Sequence, residues 1–326
     1  MILAVLAGAA IVAAAGWGAG ALWFQSPRGG AWRALSVACW LALAGAALLG
    51  LALEHTAPLW LFGAALLGLL AWWRLGVRPS NARSWMPEVA RTTRGDIDGD
   101  RVTLHDVRDF DWRTRSDYDV RWRTETYDLS RLESVDVALS YWGKPAIAHA
   151  LVSFGFNDGR HVVFSVEVRR KLGDTFSEIG GFFRQYELSV LASTEADSLR
   201  VRTNVRGEDG YLYRVHMPEG APRALFLAYV ETANGLARQP RFYNTLTANC
   251  ITIVYQLARR IVPGLPMDYR LLLSGYLPEY LYRIGALRGA DSARAYRQAG
   301  RYTDRARATA DAAQFSRNIR KGVPGE

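Results

Sequence analysis

The residues of this chain that could do chemistry lie at two places. One is Cys250. It follows Thr245, Thr247 and Asn249, and it precedes Ile251, Val254, Tyr255, Ala258 and Ile261, which fall at helical spacing. Arg259 and Arg260 suit a helix C-terminus, and Pro263-Gly264 stops the helix. Asn249 or Thr247 is then the cap, and Cys250 sits in the first turn. Free N–H groups and a partial positive charge there favour a thiolate and can receive an oxyanion. On these residues alone two readings stay open: an activated nucleophile, or a buried cysteine serving as a small apolar side chain. The β-branched run Ile251–Val254 also leaves a strand open.

The second place is a hairpin. Residues 146–156 and 161–170 flank an Asn157-Asp158-Gly159 turn. A type I turn with Gly159 left-handed in a bulge pairs Phe156 with Arg160. Counting back puts Ala150, Val152 and Phe154 with Val162, Phe164, Val166 and Val168 on an apolar face that must be core. His149, Ser153, Ser165 and Glu167 then share the other, mixed face, with His149 opposite Glu167. That pair is either an imidazole oriented by a carboxylate, poised as a general base, or a cross-strand polar pair on a solvated face. His105, His161 and His216 read as structural or surface residues. Asp96, Asp98 and Asp100 alternate like a calcium loop. But Arg101 and Val107 stand where that motif needs glycine and glutamate, so no metal site is expected.

These residues belong to a chain of 326 residues, 50% of them hydrophobic, with a formal charge of +9. Two cysteines exclude a disulfide framework and a cysteine-based zinc site. Residues 1–76 are nearly free of charge and hold seven of the eleven tryptophans. Met1–Phe24, Trp32–Leu53 and Leu59–Trp73 each approach the roughly 20 residues needed to cross a bilayer, with tryptophans toward their ends. Cys39 lies inside the second run and reads as lipid-facing or packing surface. Residues 77–101 read as a basic juxtamembrane linker, 102–288 as the soluble domain and 289–326 as a basic tail forming a solvated helix. Within the domain, 102–112, 118–129, 199–203 and 211–216 read as strands. Residues 176–189 read as a short helix or loop, and 222–236 as a helix ended by Asn234-Gly235. Tyr269–Leu287 reads as ordinary core helix, or as a stretch that lines an apolar channel or dips into the bilayer. The charge surplus fits anionic lipid better than nucleic acid, and no nucleic-acid role is expected. Arg28 and Arg33, with Arg74, Arg78, Arg83, Arg91 and Arg94 after the third run, would by the positive-inside rule place the domain in the cytoplasm.

Six stretches occur together and in order: RDFDWRT (108–114), YDLSRLESVDVALSYWG (127–143), AHALVSFGFNDG (148–159), SVEVRRKLGD (165–174), FFRQYELSV (182–190) and YNTLTANC (243–250). They resemble the periplasmic domain of Lnb-type lipoprotein N-acyltransferases, long classed as a domain of unknown function. The resemblance covers about half the chain, from Arg108 to Leu265. That family in turn resembles circularly permuted papain-like enzymes, the NlpC-type hydrolases and the lecithin:retinol acyltransferase group, in which histidine precedes cysteine. It implies an α+β fold: three transmembrane helices, then a permuted papain-like domain with an antiparallel sheet packed on helices. It implies His149 as general base and Cys250 as nucleophile, with no cofactor, in a bacterial inner-membrane protein facing the periplasm. Glu167 as the third residue comes from the hairpin register. Many relatives carry two threonines after the Asn-Cys pair, where this chain has Ile251 and Thr252.

The expected activity is acyl transfer through a Cys250 thioester, from a phospholipid donor to an amine acceptor such as a lipoprotein N-terminus. Asn249 would donate to the oxyanion beside the Cys250 N–H. Loss of such a donor costs about 3–4 kcal/mol, so Asn249→Ala is expected to slow turnover roughly 10²–10³-fold. The same dyad also fits a cysteine amidase or peptidase acting on peptidoglycan. A third reading is a non-catalytic membrane module that binds envelope partners. Oligomeric state is not legible in the sequence.

Overall fold

The computed structural model describes residues 1–26 and 29–325. They form two compact units, Met1–Ser80 with Phe176–Glu187, and Asn81–Thr175 with Leu188–Glu326.

The first unit is built on α1 (Ile2–Gln25), α2 (Ala31–Ala52) and α3 (Ala57–Leu75). At 1.5 Å per residue, even the shortest is about 28 Å long, near the thickness of a hydrocarbon core. Most of their leucines and valines face outward, as expected where lipid rather than protein covers them. Small residues let the helices close. Trp40 packs where a Cβ on Gly18 would come within 2.4 Å, donates to the Ala15 carbonyl at 3.0 Å and meets Phe62 at 5.0 Å. Arg28, counted in the charge argument, lies outside the described residues. Residues 176–186 form a loop with one 3₁₀ turn, Gly180–Phe183.

The second unit carries β1 (Arg94–Asp98), β2 (Arg101–Arg108), β3 (Asp111–Trp112), β4 (Tyr118–Asp119), β5 (Trp122–Asp128), β6 (Leu132–Tyr141), β7 (Ala148–Phe156), β8 (His161–Arg169), β9 (Glu187–Ser193) and β10 (Asp209–Arg214). The main sheet runs β1-β2-β9-β8-β7-β6-β10, with β5 also on β2, while β3 and β4 pair separately. The β1/β2, β2/β5, β6/β7, β7/β8 and β6/β10 ladders are antiparallel, and β2/β9 is parallel. The helices are α4 (Glu195–Ser198), α5 (Ala221–Arg238), α6 (Cys250–Ile261), α7 (Leu277–Arg283), α8 (Ala293–Gly300), α9 (Thr303–Ala308) and α10 (Phe315–Arg320). The class is α+β.

The hairpin register is as counted. Gly159 has φ +82°, its N–H reaches the Phe156 carbonyl, and the ladder pairs Leu151 with Ser165 and Phe154 with Val162. The apolar face packs on α5 and α6: Phe226 meets Phe154 at 5.1 Å, and Tyr229 stacks on Phe164 at 5.0 Å. The opposite face is not solvated. Leu151 and Val163 lie in a second core with Tyr302, Phe315 and Ile319 from the C-terminal segment.

That segment corrects the solvated-helix reading. It is three short helices, and Arg320 at the end of α10 donates to Asp136 at 3.0 Å and to both Glu195 oxygens at 2.8 and 2.6 Å. Basic composition concealed a buried cation.

Other expectations also change. Residues 199–203 are no strand: Val201–Val205 is a π-helical turn. Helix α5 runs through Asn234-Gly235, because the Asn234 amide bonds both backbone groups of Gly95 on β1 at 2.9 and 2.7 Å. The stretch read as linker is packed from Asn81 onward. Asn81 bonds the Leu236 and Ala237 carbonyls, and Arg169 donates to Val89 and Ala90. Asp96 and Asp100 sit at the β1/β2 hairpin, bonded to His105 and Arg223. Tyr269–Leu287 divides: Leu271, Leu277, Tyr280, Leu281 and Leu287 are core, while Tyr269, Leu272 and Leu273 are exposed.

Candidate active site

Helix α6 begins at Cys250, and its start is tightly specified. Asn249 Oδ1 accepts the N–H groups of Ile251 and Thr252 at 2.9 and 2.8 Å, while Thr252 Oγ1 accepts the Asn249 N–H at 2.9 Å. This reciprocal cap satisfies donors that the helix itself cannot. It resolves the strand-or-helix ambiguity of the β-branched run. Ile251, Ile253, Tyr255 and Leu257 face the core, which leaves Cys250 half-buried at the open end.

The β7/β8 ladder ends at Leu151 and Ser165. Just beyond, His149 and the Ala150 N–H lie near enough to the Cys250 thiol to lower its titration. Two expected residues from distant parts of the chain therefore meet. The third joins them. Ser165 donates its hydroxyl to Glu167 Oε1 at 2.6 Å, so His149 Nε2 is the donor to Ser165 Oγ at 2.8 Å and to Glu167 Oε1 at 3.1 Å. With Nε2 protonated and held, Nδ1 is the nitrogen left for the sulfur.

The electrostatics follow from this geometry. Burial and the nearby Arg202 both work against an imidazolium. The Glu167 carboxylate and the thiol outweigh them and hold His149 up to about 9. Burial raises the Cys250 thiol, but the His149 bond and charge and the Ala150 N–H overcome it and bring the thiol below its usual range. Glu167 is kept well below the ordinary carboxylate range: burial opposes this, but His149, Arg202 and Ser165 outweigh it. The arrangement favours a thiolate–imidazolium pair, which can attack a carbonyl carbon and protonate the leaving group.

Asn249 holds a different position from the one expected of an oxyanion donor. Its oxygen caps α6, and its amide donates to the Thr245 carbonyl at 2.7 Å. One amide hydrogen remains. The Cys250 N–H, in the first turn, is a donor that no carbonyl of its own helix can reach.

Sequence reasoning missed Arg202. It sits buried on the π-helical turn, 3.7 Å from Glu167 and 3.2 Å from Glu208, and Glu208 also accepts the Ser140 hydroxyl. The alternating pattern LRVRT hid it, because an alternation of apolar and basic residues reads as a strand. Tyr229, read as part of an apolar stripe, is fully buried with an unpartnered hydroxyl, close enough to Cys250 for a thiolate charge to push its own titration upward beyond the effect of burial.

Residues 118–275 match the family model described as the Lnb N-terminal periplasmic domain. Among curated proteins and among solved structures no match was found. The match spans His149, Glu167 and Cys250, and with the three apolar helices it makes the chain an inner-membrane protein with a periplasmic domain. The charge rule is overruled here, since the arginines after α3 precede a periplasmic domain. Residues 118–275 of this chain belong to the Lnb N-terminal periplasmic domain family.

Proposed function

We propose that the chain is a membrane-anchored thiol acyltransferase that moves an acyl chain from phospholipid through a Cys250 thioester to an amine such as a lipoprotein N-terminus. The observation that carries this reading is a cysteine at a helix N-terminus beside a histidine whose Nε2 donates to a part-buried carboxylate at 3.1 Å. The thiolate attacks the ester carbonyl carbon, and the oxyanion meets the Cys250 N–H. The C–O bond then breaks, and the leaving alkoxide takes the His149 proton and departs as lysophospholipid. In the second half a neutral amine attacks the thioester carbonyl. Its proton passes to His149, the C–S bond breaks, and the thiolate is restored as the amide forms. Glu167 keeps the imidazole oriented throughout.

The direct test is intact mass of the full chain after incubation with phospholipid vesicles. Gain of one acyl chain, released by hydroxylamine and discharged by a diacylglyceryl-cysteine peptide, supports the transferase. No adduct, with rapid alkylation of Cys250 at neutral pH, turns the reading toward a hydrolase.

Two further expectations follow. Acylation requires the thiolate with His149 still protonated, so its rate should fall as pH rises through about 9. Glu167→Gln removes the charge that favours the imidazolium, and the alkaline limb should move down by about one to three units. An unmoved limb would remove Glu167 from this role. Asn249→Ser keeps a capping oxygen and deletes the amide, so thermal stability should change little. If the amide serves the oxyanion, turnover should fall about 10²-fold or more. A change below about threefold would leave Asn249 as a cap alone.

A further inference from the structure

The loop between β8 and β9 belongs to the same compact unit as the membrane spans. Phe183 stacks on Phe24 of α1 at 5.5 Å and occupies space that a Cβ on Gly20 would enter at 2.2 Å. Its carbonyl accepts Gln25 Nε2–H at 2.7 Å. Arg184 donates to the Trp73 carbonyl of α3 at 2.6 Å, and its guanidinium lies 4.6 Å over the Trp73 ring. The loop is therefore fixed to the C-terminal ends of two spans. Gly20 lies five residues before the end of α1, which at 1.5 Å per residue is about 7 Å inside that end. Since α3 leads into the periplasmic domain, this is the periplasmic end of the bundle.

With Phe183 turned to α1, three large apolar side chains of the loop face outward. Phe176, Ile179 and Phe182 are 50%, 61% and 43% exposed. Trp23, on the last turns of α1, is 45% exposed. Water is a poor partner for such a group, whereas hydrocarbon at this depth is a good one. An arginine over an indole is also the kind of anchor found where a membrane meets water. The exposed residues continue the apolar surface of the spans.

We propose that residues 176–183 form a second membrane contact, inserted beside the spans into the acyl region of the periplasmic leaflet, with phospholipid as the partner. The strand leading into this loop is β8, which carries Glu167. The inference does not depend on the chemistry assigned to Cys250.

The test uses the unaltered full chain in phospholipid nanodiscs. One sample contains a phospholipid with a photoactivated carbene precursor in its acyl chain. Another receives a water-soluble carbene precursor. Labelled residues are then mapped by peptide mass spectrometry. Lipid adducts are expected on the 176–183 peptide as well as on the spans. Labelling of that peptide by the water-soluble reagent should rise several-fold when the chain is denatured. Adducts confined to the spans would overturn the proposal. So would aqueous labelling unchanged by denaturation, because side chains half-exposed to water are already reachable. Protection from both reagents, with cross-links to a second copy, would overturn it in favour of a protein partner.

Discussion

Cys250→Ala is expected to leave a folded, membrane-bound protein that forms no thioester and transfers acyl chains at least about 10⁴-fold more slowly. The size of the effect follows from the mechanism rather than from stability. Cys250 is half-buried at the first position of α6, and the cap on that helix belongs to Asn249 and Thr252. Alanine favours helix and keeps the backbone N–H, so the fold should hold. What disappears is the sulfur that carries the acyl group in the proposed mechanism. His149→Ala should be similarly severe, because it removes the proposed proton donor for the leaving alkoxide together with the charge that lowers the thiol. The two losses should not add, since each disables one shared step. Residual transfer within about tenfold of the parent in Cys250→Ala would end the covalent mechanism, being far above what loss of a nucleophile allows.

Arg320→Met carries the second large expected effect, and it falls on stability. Arg320 is buried against Asp136 and Glu195, whose side chains are fully buried. Removing the cation leaves two carboxylates short of compensation, a change that typically costs about 3–5 kcal/mol. That is a large fraction of the roughly 5–15 kcal/mol that holds a domain folded. Asp136 retains the Arg214 cation at 2.6 Å, whereas the hydrogen bond Glu195 keeps is from the neutral Ser153 hydroxyl at 2.6 Å, so Glu195 should bear most of the loss. Adding Glu195→Gln to Arg320→Met should therefore recover part of the stability, read by thermal unfolding in detergent. Strict additivity of the two changes would show that the pair is not coupled. Acid should act on the same carboxylate. Burial raises Glu195, but Arg320 outweighs it and holds the group down at about 2. Its stabilisation is complete above the unfolded value of about 4.3 and is lost as pH falls toward 2.

The parts legible in the sequence are those with local causes. The spans follow from unbroken apolar composition. The register of the β7/β8 hairpin follows from one turn, which places His149 beside Glu167. The start of α6 follows from Asn249 and the stripe behind Cys250. The parts that were not legible depend on distant partners. Asn234-Gly235 has the local signature of a helix end, but the Asn234 side chain is used on β1 and the helix continues. The 199–203 alternation is a strand pattern until Arg202 is needed beside Glu167. The arginines after Ala290 look solvated because the carboxylates that bury Arg320 lie on a strand and a short helix far earlier in the chain.

Asp136 and Arg320 stand 184 positions apart. A chain delivered across a membrane from its N-terminus presents the strand long before the arginine. At about 5–20 residues per second, the interval is on the order of 10–40 s. Through that time one face of the sheet, with Leu151 and Val163, has no cover. The thiol helix is also complete before the sheet behind it is sealed. A newly exported molecule would thus hold the Cys250 helix against a sheet whose other face is still open, and attendance by a periplasmic holdase would matter most then.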